Sequence, residues 1–257
     1  MIQQHCYTKA RCGLFLQSEG YDTVACSPGL MEPFIKARLH PFCRYQPSRT
    51  LQVLRVPAEE FPRALTLVHF PEGLMLLGQT IYRESDFSGQ QSAFFTHHYV
   101  MPKPERLSSI EMGIMLYKVL FLTETEWDHL PELEDLPLYD AEVESVAPLP
   151  FDRERLQQLI YALLEAVAGT KKVYVTLPDM AWVKPMLLWI YSQLSSDISL
   201  LLGFTTYSRE LMNEKYLHLI FMDKGSFHLE DPAIAGDYVF DFDSGFFSSN
   251  LPEGLNI

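Results

Sequence analysis

The stretch DFSGQQSAFFTHHYV, residues 86–100, carries the side chains whose types and spacing come nearest to a chemical site. Asp86, Ser88 and His97 are the residue types of a hydrolytic triad, in which histidine takes the proton of a serine nucleophile. However, Ser88 does not lie in a G-x-S-x-G elbow, and no oxyanion hole is recognisable. We therefore predict no catalytic residue and retain this triad as an alternative. The predicted binding residues of the stretch are Asp86, Ser88, Gly89, Phe95 and His97.

An ordinary turn followed by a strand explains the same residues. Asp86 and Ser88 can bond to nearby backbone, and Gly89 permits a positive φ. His97 and His98 then lie on a strand, where neighbouring side chains point to opposite faces. One histidine is expected to face inward and the other outward. A hydrogen-bonded core histidine is the favoured interpretation, and a functional histidine stays open because imidazole titrates near neutral pH.

Two further acidic positions could bind a ligand. Asp179 follows the predicted strand 171–178, and ligands prefer the carboxyl ends of parallel strands. No G-x-G-x-x-G or G-x-x-x-x-G-K-[ST] motif accompanies it, so nucleotide binding is unsupported and a helix cap is favoured. FDFDSG at 240–245 could attract a cation, but it lacks the length of a calcium loop.

The cysteines raise the question of a metal. All four lie in the first sixth of the chain, at positions Cys6, Cys12, Cys26 and Cys43. A zinc site would combine them with His5 or His40, but the chain has no C-x-x-C pair, in which thiolate ligands usually come. Buried structural thiols are favoured. We predict no metal site and no cofactor.

Composition narrows the class of protein. Of 257 residues, 47% are hydrophobic and 21% charged, which is ordinary globular usage, and the formal net charge is −13. Nucleic acid and anionic membrane are disfavoured as partners because both require clustered lysine and arginine. The polar N-terminus has no apolar signal region, and no apolar run is long enough to span a bilayer. We expect a cytoplasmic protein with reduced thiols.

The secondary-structure elements predicted for the first part of the chain are mainly strands. Residues 2–8, 13–17 and 21–27 are predicted to be strands, and residues 27–39 a short helix with Ser27 as N-cap and Pro28 at its first position. Two runs separated by Pro71, Glu72 and Gly73, with the strand that carries the histidine pair, predict an antiparallel meander over 64–101.

The second half of the chain shows helical periodicity. Between Lys118 and Arg153 there is no lysine or arginine. This acidic, proline-containing connector is favoured as a solvated surface over a partner-binding one. A helix is predicted from the cap Asp152 to Gly169, and a second begins at Asp179. Strands at 171–178, 201–208, 215–222 and 238–243 predict a parallel pair with a right-handed crossover.

We therefore predict a mixed α+β fold. An antiparallel, strand-rich N-terminal half precedes a β-α-β type C-terminal half. The predicted division is 1–118, the connector 119–150, and 151–257, within one module.

The quoted motifs resemble a known family. IQQHCYTKARCGLFLQSEGYDTVACSPGL, HPFCRY, DFSGQQSAFFTHHYV and LGFTTYS are similar to the N-terminal domain of bacterial GTPase-associated protein one. That family shows the pattern D-x-S-G-R-x-x-N-F-F-x-H. Six positions fit it, namely Asp86, Ser88, Gly89, Phe94, Phe95 and His97. Gln90 replaces the arginine and Ala93 the asparagine, so the resemblance implies no anion-binding or amide role at these two positions.

The resemblance implies an interaction role and supplies no catalytic residues. Such domains are N-terminal parts of larger proteins encoded beside a GTPase in regulatory or defence systems. It implies a non-enzymatic adaptor whose partner is a protein, with a GTPase encoded nearby as the first candidate. The alternative is a hydrolase or small-ligand sensor at Asp86, Ser88 and His97. LPEGLNI, residues 251–257, is expected to begin a linker.

Overall fold

The computed structural model describes residues 1–140, 142, 148–226, 231–248 and 251. The chain forms two compact units. The N-terminal unit comprises Met1–Lys103 and Leu120–Leu138, and the C-terminal unit comprises Pro104–Val119 and the described part of Tyr139–Ile257. The predicted linker start at 251–257 lies outside the described residues, apart from Leu251. The three-part division made from composition remains a prediction.

An antiparallel sheet forms the body of the N-terminal unit. Its strands are β1 (Gln3–Ala10), β2 (Gly20–Cys26), β3 (Ala64–His69), β4 (Leu74–Ser85) and β5 (Gln91–Pro102), in the order β3-β4-β5-β1-β2. The predicted meander β3-β4-β5 is confirmed, and its first turn places Gly73 at φ +76°. The first strand of the chain therefore lies between β5 and β2.

Two predicted elements before β3 are wrong. Residues 13–17 form no strand, because the carboxylate of Asp22 accepts the N–H groups of Phe15 and Leu16 at 2.7 and 2.8 Å. The helix begins at Glu32 and not at Ser27. The Ser27 hydroxyl instead accepts the N–H of Gln4 at 2.8 Å and donates to a distant carbonyl.

The helical segments of this unit are short. Helix α1 (Glu32–Phe34) continues as a π-helix, Ile35–Leu39, and a 3-10 turn, His40–Phe42. Helix α2 (Arg49–Leu54) and the 3-10 turn Ala58–Glu60 precede β3. Proline in the first turn of α1 is compatible with its start, since that position needs no donor. These segments lay His40 and Cys43 against the sheet.

Mostly parallel strands organise the C-terminal unit. Its strands are β6 (Val173–Thr176), β7 (Phe204–Ser208), β8 (Leu219–Met222), β9 (Tyr238–Asp241) and β10 (Phe246–Phe247), in the order β10-β9-β6-β8-β7. The parallel arrangement predicted from strand-helix-strand order is confirmed for β9, β6, β8 and β7, and β10 joins β9 antiparallel. All residues of β6 and β8 are buried, as parallel strands require.

Within the described residues of this unit, four helices accompany the strands: α3 (Ser109–Tyr117), α4 (Arg153–Ala168), α5 (Val183–Gln193) and α6 (Ser196–Ser199). Two further 3-10 turns span Met180–Trp182 and Pro232–Ile234. The predicted cap of α4 is confirmed, since the Asp152 carboxylate accepts the N–H of Arg155 at 3.1 Å. Helix α3 was not predicted, although Ser108 and Glu111 form a complete capping box at its start.

The α+β fold class is confirmed, with the strand-rich part in the N-terminal half. Within the described part of the chain, no helix has the length and apolar character that crossing a bilayer requires.

Candidate functional site

The adjacent histidines of β5 point to opposite faces of the sheet, and both are buried. His97 is 0% exposed and His98 is 1% exposed. The expectation that one of them faces outward is wrong, because segments distant in sequence cover both faces. Each histidine therefore has its own set of buried partners.

His97 has a fully occupied environment. Its Nδ1 accepts the N–H of Leu122 at 3.1 Å, so its Nε2 carries the proton that is donated to Oε1 of Gln4 at 3.2 Å. Tyr99 packs edge-on against the ring, with centroids 4.5 Å apart. Burial lowers the pKa of His97 to about 3, so the ring is neutral at physiological pH. These contacts are those of a structural histidine.

His98 begins a chain of buried polar contacts on the other face. Its Nδ1 lies 3.2 Å from Nδ1 of His5. The Nε2 of His5 lies 2.9 Å from the Thr23 hydroxyl, which lies 2.9 Å from Nε2 of His40. His5, Thr23 and His98 are buried, whereas His40 is partly exposed. The chain thus runs from the core toward the surface.

Cys43 joins this group, which we call the histidine-cysteine cluster: His5, His98 and Cys43, with Thr23 and His40 attached. Nδ1 or Nε2 of His5 and His98 and Sγ of Cys43 all lie within 4.8 Å of one another. Cys43 is 3% exposed, and its thiol donates to the carbonyl of Leu39 at 3.4 Å. Two imidazoles and a thiol at this spacing are the donor set of a borderline-soft metal ion.

Strand register explains why these side chains meet. His5 on β1 lies directly opposite His98 on β5, so the two side chains share a face. Gly78 on β4 lies opposite His98 on its other side, and a Cβ there would come within 2.2 Å of Cδ2 of His98. Glycine therefore leaves the space that the His98 ring occupies. The 3-10 turn then brings Cys43 over the same face.

Burial keeps the cluster neutral. Desolvation, and then the neighbouring His98, lower the pKa of His5 well below its ordinary value. Desolvation also lowers the pKa of His98 to about 3, and it raises the pKa of the Cys43 thiol well above its ordinary value. A buried thiol without a cation is a poor nucleophile, because the thiolate is the reactive form. The thiol of the cluster is therefore not suited to attacking a substrate.

The structure does not bring Asp86, Ser88 and His97 together. Oδ1 of Asp86 accepts the Ser88 N–H and hydroxyl, each at 2.7 Å, and Oδ2 pairs with Lys9 at 2.7 Å. The ion pair with Lys9 is the main reason why the pKa of Asp86 lies well below its usual range. Since Ser85 pairs with Gln91, His97 lies six residues further along β5, or about 20 Å.

A cleft of about 490 Å³ opens beside this turn. Asp86 and Phe95 contribute to its lining, while Ser88, Gly89 and His97 do not. Gly89 takes φ +81° in the turn itself. Phe95 is 1% exposed and packs in a core cluster with Cys6, Ala25 and Leu130. The predicted binding residues are thus divided between a turn, a core and a cleft.

The two acidic candidates of the C-terminal unit belong to local structure. The Asp179 carboxylate accepts the N–H of Ala181 at 2.8 Å and so begins the helical segment that leads into α5. In FDFDSG, Asp241 accepts the N–H groups of Asp243 and Ser244 at 3.0 and 3.1 Å. Both carboxylates hold turns.

Comparison with known proteins gives two family matches. Residues 1–137 match the family model described as GTPase-associated protein 1, N-terminal domain type 2. Residues 141–244 match the model described as GTPase-associated protein 1, middle domain. A comparison with curated proteins finds no match. The first match ends at residue 137, next to Leu138, where the N-terminal unit ends.

Proposed function

This chain belongs to the family of GTPase-associated protein 1, as its motifs predicted, and on that premise we propose that it is a non-enzymatic adaptor that binds a GTPase. The partner is encoded beside it in a bacterial regulatory or defence system. The chain carries matches to an N-terminal and to a middle domain of the family. Its family membership is the observation that carries this proposal.

The chemistry of the described residues supports a binding role. The Ser88 hydroxyl donates to Asp86, and both ring nitrogens of His97 are engaged by Leu122 and Gln4. His97 therefore has no ring nitrogen available to act as a base for Ser88. A hydrolase at that site would require a different packing of β5.

The acidic segment, residues 120–138, offers the docking surface. Trp127 is 71% exposed, and the side chains of Glu124 and Asp128 beside it are 75% and 68% exposed. Tryptophan is enriched among the residues that dominate binding energy at interfaces. Since the segment contains no lysine or arginine, we infer that the partner presents a basic surface with an apolar pocket.

This segment is held in place before any partner binds. Leu133 exchanges two backbone hydrogen bonds with Ile2, at 2.7 and 2.9 Å, and Leu130 donates to the carbonyl of Cys26 at 3.1 Å. Leu130 is buried, so it anchors the chain next to Trp127. Preorganisation lowers the entropy cost of association, which suits a docking surface.

The proposal is tested by measuring binding of the full chain to the GTPase encoded beside its gene, with GDP or GTP bound, by calorimetry. We expect Trp127→Ala to weaken binding by about 30-fold, which corresponds to the roughly 2 kcal/mol of an interface hot spot. Val53→Ala is the matched control, because Val53 is 82% exposed in α2, outside the acidic segment. Full affinity in the Trp127 variant would refute the docking surface, and no binding in either nucleotide state would refute the adaptor.

A small-ligand sensor is the second candidate, and the cleft beside Asp86 favours it. Its volume of about 490 Å³ suits a metabolite, and Lys9, Arg11 and Arg83 line it. If the adaptor binds no GTPase, calorimetry with anionic metabolites and an Arg83→Ala variant tests this function. We expect this variant to lose ligand binding. Unchanged ligand binding would rule out the cleft as the binding site.

We also propose that the protein works in the cytoplasm. Its four cysteines are all free, two of them buried. Free thiols persist in reducing compartments.

A further inference from the structure

The nearest ring nitrogens of the histidine-cysteine cluster have the separation of two ligands on one metal ion. Nδ1 of His5 and Nδ1 of His98 are 3.2 Å apart. Two nitrogens bound tetrahedrally to zinc at about 2.0–2.1 Å lie about 3.3 Å from each other. Sγ of Cys43 lies within 4.8 Å of ring nitrogens of both histidines, against about 3.6 Å in a formed site. Closing the site therefore needs Sγ of Cys43 to approach the two rings by up to about 1 Å.

A second observation comes from the partner of His5. To bind a metal through Nδ1, His5 must carry its proton on Nε2. That Nε2 lies 2.9 Å from the Thr23 hydroxyl oxygen, which can accept the proton's hydrogen bond. Thr23 can then donate its own hydrogen to Nε2 of His40, 2.9 Å away. Thr23 and His40 can thus support His5 in the tautomer that a metal requires, as outer partners of metal-bound histidines do.

Space and burial agree with an inward-facing metal site. Gly78 leaves room for the His98 ring, and the rings of His5 and His98 are inclined by only 22°. Cys43 is 3% exposed and His5 is 0% exposed, so water competes little for the position between them. The three ligands come from β1, from β5 and from the residue that follows the 3-10 turn His40–Phe42. The two histidines are 93 residues apart in the chain.

We propose that His5, His98 and Cys43 bind a Zn²⁺ ion, with both histidines coordinating through Nδ1 and Cys43 as thiolate. Binding releases the thiol proton of Cys43 to solvent, while each histidine stays neutral. The ion links β1 and β5 to the segment that follows the 3-10 turn His40–Phe42, so its role is to stabilise the N-terminal unit. This inference stands apart from the proposed adaptor function, which requires only the surface of the acidic segment.

The test loads the full chain with metal after treatment with a chelator. Bound zinc is measured by elemental analysis, and Co²⁺ is used as a spectroscopic probe, because thiolate-to-cobalt charge transfer gives an absorption band in the near ultraviolet. We expect one metal per chain, the thiolate band, and a higher unfolding temperature with Zn²⁺ than without it. Cys43→Ser should weaken metal binding at least tenfold and remove the band.

Cys12→Ser is the matched control, since Cys12 is exposed and lies outside the cluster. That variant should keep the band, the stoichiometry and the zinc-dependent rise in unfolding temperature. The spectra of the unaltered chain and of Cys12→Ser decide the question even if Cys43→Ser does not fold. Less than a tenth of an equivalent of metal on the unaltered chain, or a band lost with Cys12, would overturn the site.

Discussion

Gly78→Ala tests whether the His98 ring occupies the space beside β4. The substitution adds one methyl group to a strand position whose φ is ordinary, so backbone strain does not contribute. The new Cβ would lie 2.2 Å from Cδ2 of His98, while carbon atoms in contact are ordinarily about 3.5–4.0 Å apart. The ring must therefore move by more than about 1 Å.

That movement has two costs. Overpacking a well-filled core costs about 1–3 kcal/mol, and His98, at 1% exposure, has little free space. The shift also breaks the 3.2 Å contact with His5 and leaves a buried nitrogen without its partner, which costs about 1 kcal/mol or more. We expect Gly78→Ala to lower the free energy of unfolding by about 3 kcal/mol.

Urea denaturation followed by circular dichroism measures this loss, with metal-free protein throughout. His98→Ala removes the ring, and in that background Gly78→Ala should cost less than about 1 kcal/mol, a coupling of about 2 kcal/mol. Gly236→Ala is the control, since nothing lies within 4 Å of its added Cβ and its φ is ordinary. A Gly78→Ala loss no larger than that of Gly236→Ala, or equal losses with and without the ring, would refute the packing described here.

Two further predictions concern the C-terminal unit. Burial, with the nearby Lys172 as a smaller cause, lowers the pKa of His218 to about 4. Between pH 6.5 and pH 4, His218 is therefore protonated in the unfolded chain but neutral in the folded chain. The free energy of unfolding is unaffected by this histidine above pH 6.5 and decreases between pH 6.5 and pH 4, by about 2 kcal/mol at pH 5. The variant His218→Asn keeps an acceptor for the N–H of Gly203. In urea titrations, the free energy of unfolding of this variant should fall by about 2 kcal/mol less between pH 7.5 and pH 5 than that of the unaltered chain. Equal falls in the two proteins would contradict this prediction. Ser108→Ala should lower the free energy of unfolding by about 1 kcal/mol in the same assay, because it opens the capping box with Glu111, and an unchanged value would show that the box is not stabilising.

Elements with local causes could be predicted from the sequence. Helix α4 combines a repeating apolar face with the cap Asp152, which bonds within its own turn, and the predicted ends match the observed ones. The helix after β2 was misplaced for the opposite reason. Ser27 looks like a cap, but its hydroxyl is engaged by Gln4 and Pro131, which are 23 and 104 residues away. Tertiary partners overrode a local signal there.

The burial of both histidines shows where alternation stops being informative. The period of a strand correctly places His97 and His98 on opposite faces, but it does not say what covers each face. The backbone of Leu122 covers His97, and the segment that carries His40 and Cys43 lies over His98. Neither covering segment is adjacent to β5 in sequence. Burial of this strand is therefore a property of the assembled unit and not of its own pattern.

The same reasoning explains why the histidine-cysteine cluster could be anticipated only in part. His5 and Cys43 were recognised as possible zinc ligands, but metal motifs are usually identified by closely spaced cysteines, and this cluster has none. The missing ligand, His98, is brought to His5 by the pairing of β1 with β5, a contact that spans 93 residues. Once that pairing is known, two positions follow from geometry. His5 must share a face with His98, and the residue opposite on β4 must be small, which Gly78 is. Sheet order, more than residue spacing, is thus the information that a search for such a site needs.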